Sequence, residues 1–204
     1  MKYVDLSHKI NCGIPVYPGD MEVSLKQVKS IGKDNYTAYS FSSGMHAGTH
    51  IDGPLHMLEN NPVMTEYPLE CFAGKGCLID TRGEGIIDYK AEYEKISPGD
   101  IVLIFTGVDE WYGSESYYSN HPAITEKLAG FLVSRNIKML GVDMPSPDHS
   151  PFPIHQLLLK NGIFIVENLT NLKQLRCIEH FEVFAMPLKI RAEASLTRAC
   201  ARYL

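Results

Sequence analysis

The sequence predicts an α/β protein built on a mixed β-sheet. Three observations carry that expectation. Short β-rich runs outnumber helical stretches along the 204 residues. Twice a helical pattern runs straight into a β-branched strand, in "SRNIKMLGVD" and in "LLKNGIFIVEN", the order expected of a helix packed on the sheet it feeds. The N-terminal third reads instead as successive strands and turns.

Taken in chain order, β-rich runs occur at 3–10 ("YVDLSHKI"), 22–28 ("EVSLKQV"), 36–43 ("YTAYSFSS"), 76–81 ("GCLIDT"), 100–106 ("DIVLIFT"), 137–144 ("IKMLGVDM"), 162–169 ("GIFIVENL") and 181–190 ("FEVFAMPLKI"). The clearest helix opens at Thr125, whose hydroxyl suits an N-cap, and runs through "TEKLAGFLVSRN" with Leu128, Phe131 and Leu132 on its buried face. A second, "IHQLLLKNG" from Ile154, stops on Gly162. A weaker pattern covers 88–96, "DYKAEYEKI".

Length and composition narrow the function. The chain is long enough for one sizeable core, and residues 1–204 read as a single domain. It is 45% hydrophobic and 21% charged, which weighs against disorder. The net charge is −5 with Lys and Arg scattered, so no basic stripe faces a phosphate backbone and nucleic acid is not an expected partner. The N-terminus, "MKYVDLSHKI", shows no export signal. The longest apolar run, "IVLIF" at 101–105, is far short of the roughly 20 residues that span a bilayer. Five cysteines (12, 71, 77, 177 and 200), odd in number and without a C-x-x-C pair, indicate reduced thiols in a cytoplasmic protein, packed as small buried hydrophobes. Neither "CFAGKGC" nor "TRGEG" has a phosphate-loop pattern.

One stretch carries chemistry. "HAGTHIDGPLH", residues 46–56, puts three of the eight histidines and an aspartate within eleven residues. A helix would place His46 and His50 on one face, but Gly48 and the Gly53-Pro54 step argue against a helix. In a strand, positions 46, 50, 52 and 56 share a side. At about 3.3 Å per residue, however, 46 and 50 would stand roughly 13 Å apart, too far for both imidazoles to reach one ion at about 2.0–2.1 Å. The backbone must bend, and Gly48 and Gly53-Pro54 are where it can do so around a cation. The rival reading is a hydrogen-bonded loop cluster without metal. Glu167 adds independent weight, because "IFIVE" would bury a carboxylate that needs a partner.

These residues resemble the cyclase-like metal hydrolases, the group that includes bacterial kynurenine formamidase and isatin hydrolase. "HAGTHIDGPLH" matches the family signature H-x-G-T-H-x-D-x-P-x-H, and "DLSHKINCGIPVYPGD", "KMLGVDMPSPD" and "FPIHQLLLKNGIFIVENLTNL" extend the resemblance over residues 3–172. The resemblance implies a swivelling β/β/α fold assembled into homo-oligomers. It implies that His46, His50, Asp52, His155 and Glu167 hold one or two ions of zinc or manganese, with Asp52 and Glu167 as bridging carboxylates, and that His56 is the general acid/base. Imidazole and carboxylate ligands suit such a centre.

The implied reaction is hydrolysis of a small-molecule amide. A bound dication lowers the pKa of its water to about 7 and polarises a carbonyl, and a histidine titrating near neutrality can pass the proton to the departing nitrogen. An aryl formamide such as N-formylkynurenine is the first expected substrate. Lactam opening of the isatin hydrolase type and a noncatalytic metal- or ligand-binding role on the same fold are the alternatives. Tyr17 stands where the formamidases carry a tryptophan in the substrate pocket, which changes its depth and adds a hydroxyl. Tyr39 and Phe41 are read as core, with aromatic pocket walls as the second reading. His121 and His149 are read as loop residues, and His8 and His180 carry no assigned role.

Overall fold

The computed structural model covers residues 1–204. Its strands in chain order are β1 (Lys2–Asp5), β2 (Ser24–Lys29), β3 (Ala38–Ser42), β4 (His50–Asp52), β5 (Ala73–Asp80), β6 (Ile86–Ile87), β7 (Ile101–Phe105), β8 (Ala123–Ile124), β9 (Met139–Val142), β10 (Phe164–Glu167), β11 (Glu182–Phe184), β12 (Ala194–Leu196) and β13 (Cys200–Tyr203). The helices are α1 (Ile31–Asp34), α2 (Glu115–Ser119), α3 (Glu126–Ser134) and α4 (Pro153–Lys160). Nine strands form one sheet in the order β1-β13-β11-β5-β7-β9-β10-β4-β12, and β2-β3 and β6-β8 are separate two-stranded sheets. The fold is α/β with a mixed sheet, as the sequence predicts.

The centre of the sheet is parallel: β5 pairs with β7, β7 with β9 and β9 with β10. Antiparallel strands complete both flanks. A parallel centre is covered on both faces, which is why "IVLIF" is an unbroken apolar run with all five residues buried. Its side chains still alternate. Val102 and Ile104 join the apolar cluster under α3 and α4 with Leu128, Leu132 and Leu158, while Ile101, Leu103 and Phe105 join the opposite cluster with Phe164 and Phe181.

Thr125 caps α3 as expected, its hydroxyl accepting the Leu128 N–H at 3.1 Å. Helix α4 ends before Gly162, which has φ +72. Other expectations are corrected. Residues 88–96 hold only a 3-10 turn, Ala91–Lys95, in which Tyr93 alone is buried, with Ile96 buried just after it, so two apolar anchors hold the segment without a full helical face. None of the five cysteines is buried: Cys12 and Cys177 are exposed and the others half-buried, all as free thiols. Tyr39 and Phe41 are not core residues, being 59% and 47% exposed. Their strands form a hairpin that pairs with no other strand, so no second layer covers them. No helix is long and apolar enough to cross a membrane.

Candidate metal centre

The motif at 46–56 is part strand and part turn. β4 is only three residues long but is paired on both edges: His50 faces Glu167 of β10 and Leu196 of β12, and Asp52 faces Ile165 and Ala194. Directly opposed residues put their side chains on one face, so pairing alone sets His50, Asp52 and Glu167 together on the helix side of the sheet. The site lies where β10, one of the parallel strands, ends, the usual location of functional groups in α/β sheets.

Before β4 the chain bends at Gly48, which has φ +63. The bend returns His46 until its Nδ1 stands 3.0 Å from Asp52 Oδ1. After β4, Gly53 and Pro54 open a 3-10 turn, Pro54–His56. This turn places the His56 ring 4.4 Å from that of His46. Four side chains that an extended chain would spread apart therefore converge.

His155 enters from the first turn of α4. Its Nε2 lies 2.9 Å from Glu167 Oε1, and Glu167 Oε2 lies 3.3 Å from His50 Nε2. The result is two three-residue groups, His46-His50-Asp52 and Asp52-His155-Glu167, each with candidate ligand atoms within 4.8 Å of one another. They share Asp52. The structure brings together all five residues that the resemblance implies as ligands, with His56 at their edge.

The donor set fits a cation on a specific ground. His50 Nε2 and both carboxylate oxygens of Asp52 are buried without a hydrogen-bond partner. Nδ1 of His50 donates to the Gly48 carbonyl at 2.8 Å, which leaves the Nε2 lone pair facing the carboxylates of Asp52 and Glu167. Buried polar atoms are rarely left so, and a positive charge between them removes the conflict. Protons meet part of that demand in the metal-free protein. Burial pulls His46 and His155 down, but neighbouring carboxylates outweigh it: Asp52, Glu167 and Glu193 hold His46 at about 9, and Asp148, Glu167 and Asp52 hold His155 at about 10. His56 behaves oppositely. Burial, with His46 and His155, keeps it below its usual value despite Asp52 and Glu167, so this imidazole is neutral at pH 7.

The cluster forms the floor of a cavity of about 200 Å³. Tyr17, Tyr118 and Phe152 supply aromatic walls. The Tyr17 and Tyr118 rings meet edge to face with centroids 5.9 Å apart. Tyr39 and Phe41 do not line this cavity. Nor do His121 and His149, whose rings lie 4.1 Å from each other. His8 stacks on Tyr112 at 3.7 Å, and His180 is exposed.

Sequence reasoning missed two residues that support the cluster. Asp148 Oδ1 lies 2.6 Å from His155 Nδ1, and its Oδ2 accepts the Ile154 N–H at 2.6 Å. An aspartate shortly before a helix that opens on proline was the available signal. Asn168 donates to the Gly48 carbonyl at 3.0 Å and accepts from the Tyr117 hydroxyl at 2.7 Å. Its φ of +54 is a conformation asparagine tolerates better than most residues.

Known proteins resemble this chain in sequence and in fold. A family model described as putative cyclase matches residues 4–149. The kynurenine formamidase of Bacillus cereus is 28% identical over 214 aligned residues, covering 98% of this chain and 97% of that one. An uncharacterised protein of Methanocaldococcus jannaschii is 34% identical over 176 residues, 85% of each chain. Among solved structures, isatin hydrolase A from Labrenzia aggregata bound to benzyl benzoate superposes with a TM-score of 0.87 at 24% identity, covering 98% of this chain and 93% of that one.

Proposed function

Because the chain belongs to the putative cyclase family, we propose that it is a metal-dependent hydrolase of amide C–N bonds, with an aryl formamide as its substrate. The observation that carries this reading is the pair of ligand groups sharing Asp52, whose oxygens, like His50 Nε2, are buried close to other candidate ligand atoms yet make no hydrogen bond, beneath a cavity edged by a neutral histidine. His46, His50, Asp52, His155 and Glu167 hold one or two zinc ions, a metal suited to three imidazoles and two carboxylates. Bound there, the metal supplies Lewis acidity, which polarises a carbonyl and acidifies water.

The protein's own groups do the rest. The Gly48 carbonyl and the Asp148 carboxylate each engage an Nδ1, of His50 and His155, so that both rings direct Nε2 into the cluster. Neutral His56 takes the proton released as water adds to the carbonyl carbon and gives it to the departing nitrogen as the C–N bond breaks. Tyr17, Tyr118 and Phe152 receive the aryl group. No serine or cysteine nucleophile is needed.

The test is a hydrolysis screen of zinc-loaded protein against N-formylkynurenine, formanilide and isatin, with metal analysis of the same sample. Cleavage of the formamides supports the reading. Opening of isatin alone replaces it with lactam hydrolysis, and bound metal without any turnover makes this a binding protein.

Residues 1–204 act as one domain that works as a homo-oligomer in the cytoplasm. Support for assembly comes from the β2–β3 hairpin, where Val28, Tyr36, Tyr39 and Phe41 stand 47–59% exposed and Ile31 reaches 72%. Light scattering on the eluting protein tests it, a monomer mass being the contrary result. Five free thiols fit a reducing compartment.

A further inference from the structure

Each histidine of the ligand cluster has two ring nitrogens, and only one of them can face a cation. For two of the three the other nitrogen is already held: Nδ1 of His50 by the Gly48 carbonyl at 2.8 Å, and Nδ1 of His155 by Asp148 Oδ1 at 2.6 Å. His46 is turned the other way. Its Nδ1 stands 3.0 Å from Asp52 Oδ1, inside the cluster, and its Nε2 makes an ion-pair contact of 3.4 Å with Glu193 Oε1. A ligand imidazole is fixed in orientation and tautomer by whatever engages its second nitrogen, so the group at Nε2 decides what Nδ1 can offer.

The backbone builds Glu193 into that place. It comes immediately before β12, whose Ala194 pairs with Asp52 of β4. The Gly53 N–H donates to the Glu193 carbonyl at 3.0 Å. A Cβ on Gly53 would stand 3.1 Å from that oxygen and 2.8 Å from Met64 Sδ, so this close approach requires glycine. The Ala192 carbonyl accepts the Met64 N–H at 2.9 Å, which ties down a second residue of the bend at 191–193. The Glu193 side chain pairs with no lysine or arginine, and His46 is its one basic partner. It also differs from the carboxylates of the cluster. The side chains of Asp52 and Glu167 are 1% and 8% exposed, that of Glu193 37%. A carboxylate still in contact with water needs no cation to offset burial, and Glu193 belongs to neither ligand group.

On the reading of the cluster as a metal centre, we propose that Glu193 is a positioning residue: it holds the Nε2–H of His46, so that His46 binds metal through Nδ1 while His50 and His155 bind through Nε2. Three different acceptors then fix the three imidazoles, a backbone carbonyl, a buried aspartate and a half-buried glutamate. The third comes from the far end of the chain and sets the first residue of the motif.

Two measurements on the full chain test this without recourse to turnover. Long-range nitrogen–proton NMR of the zinc-loaded protein distinguishes the protonated from the metal-bound nitrogen of each histidine ring. His46 should carry its proton on Nε2, and His50 and His155 on Nδ1; a proton on Nδ1 of His46 overturns the proposal. Zinc affinity is then measured by chelator competition for Glu193→Ala and Glu193→Gln. Both variants remove the same charge, but only glutamine keeps an oxygen that accepts from Nε2–H. Glu193→Ala should lose about 10–100-fold in affinity, and Glu193→Gln should recover most of that loss. Wild-type affinity in Glu193→Ala, or equal losses in the two variants, would overturn the positioning role. The thermal midpoint of the chelator-treated proteins should differ little at pH 7, because an ion pair this exposed contributes little. A fall there as large as that of the zinc-loaded proteins would make Glu193 a contact of the fold instead. A wild type that takes up no zinc overturns the metal reading and this proposal together, whereas zinc uptake indifferent to Glu193 overturns this proposal alone.

Discussion

Nδ1 of His155 and Oδ1 of Asp148 lie 2.6 Å apart, and the same carboxylate accepts the Ile154 N–H at the start of α4. Asp148 thus fixes both the helix that carries the ligand and the ring orientation of the ligand itself. Supporting contacts of this type are typically worth 10–100-fold in metal affinity. Asp148→Asn should weaken metal binding within that range, measured by competition with a chelator, while the folded state survives because the amide oxygen can still accept from α4. Unaltered affinity would count against the positioning role.

His50 and His56 should separate ligation from proton transfer. His50→Ala removes a buried member of the cluster, and we expect loss of metal together with the stability that metal binding gives the folded state. His56→Ala should keep metal and fold but lose about 10²–10⁴-fold in kcat on a poor leaving group, with a smaller loss where the departing nitrogen needs no proton. Metal stripped by His56→Ala would move this residue into the ligand set.

The metal-free protein should lose stability as the pH rises. His46 and His155 titrate at about 9 and about 10 when folded, against about 6.5 unfolded. A raised histidine contributes stability that is complete below the unfolded value and disappears as pH climbs through the folded one. Between about pH 6.5 and 10 the thermal midpoint of chelator-treated protein should therefore fall relative to that of metal-loaded protein, whose ligands are already deprotonated. A difference between the two forms that stays constant over this range would contradict the charge arrangement described for the cluster.

Gly48→Ala should be costly for its size. At φ +63 a side chain is strained, and the added Cβ would come within 3.1 Å of Ile14 Cδ1. A destabilisation of about 1–2 kcal/mol is expected from the backbone alone. Metal affinity should fall as well, because this bend is what returns His46 to Asp52. Denaturant melts and chelator competition on the same variant measure both effects, and a neutral substitution would mean the loop has another route to that geometry.

Much of the fold was legible because strand and helix periodicity is local. The apolar run at 101–105, the Thr125 cap and the glycine after α4 each announce themselves within a few residues. Boundaries were less legible. The run at 3–10 is a continuous strand only over Lys2–Asp5, with one isolated bridge from Ser7 to Leu169, and that at 181–190 only over Glu182–Phe184, with one from Pro187 to Thr197, because the neighbouring chain runs alongside for only that far. β12 and β13 went unrecognised. Tyr39 and Phe41 showed strand chemistry without showing that nothing would cover them.

By itself the sequence determined the kind of site: three histidines and an aspartate beside two flexible or turn-forming steps had to fold back on themselves, and a carboxylate ending an apolar strand needed a partner. What it could not contain is the meeting of residues far apart in the chain. Glu167 faces His50 because β10 and β4 pair in one register, and a shift of one residue would turn it to the other face. His155 reaches Glu167 because α4 packs on that strand, and Asp148 reaches His155 because the loop ahead of α4 closes on it. Those contacts are set by sheet register and helix packing, which arise when the whole chain buries its apolar surface together and not from any single segment.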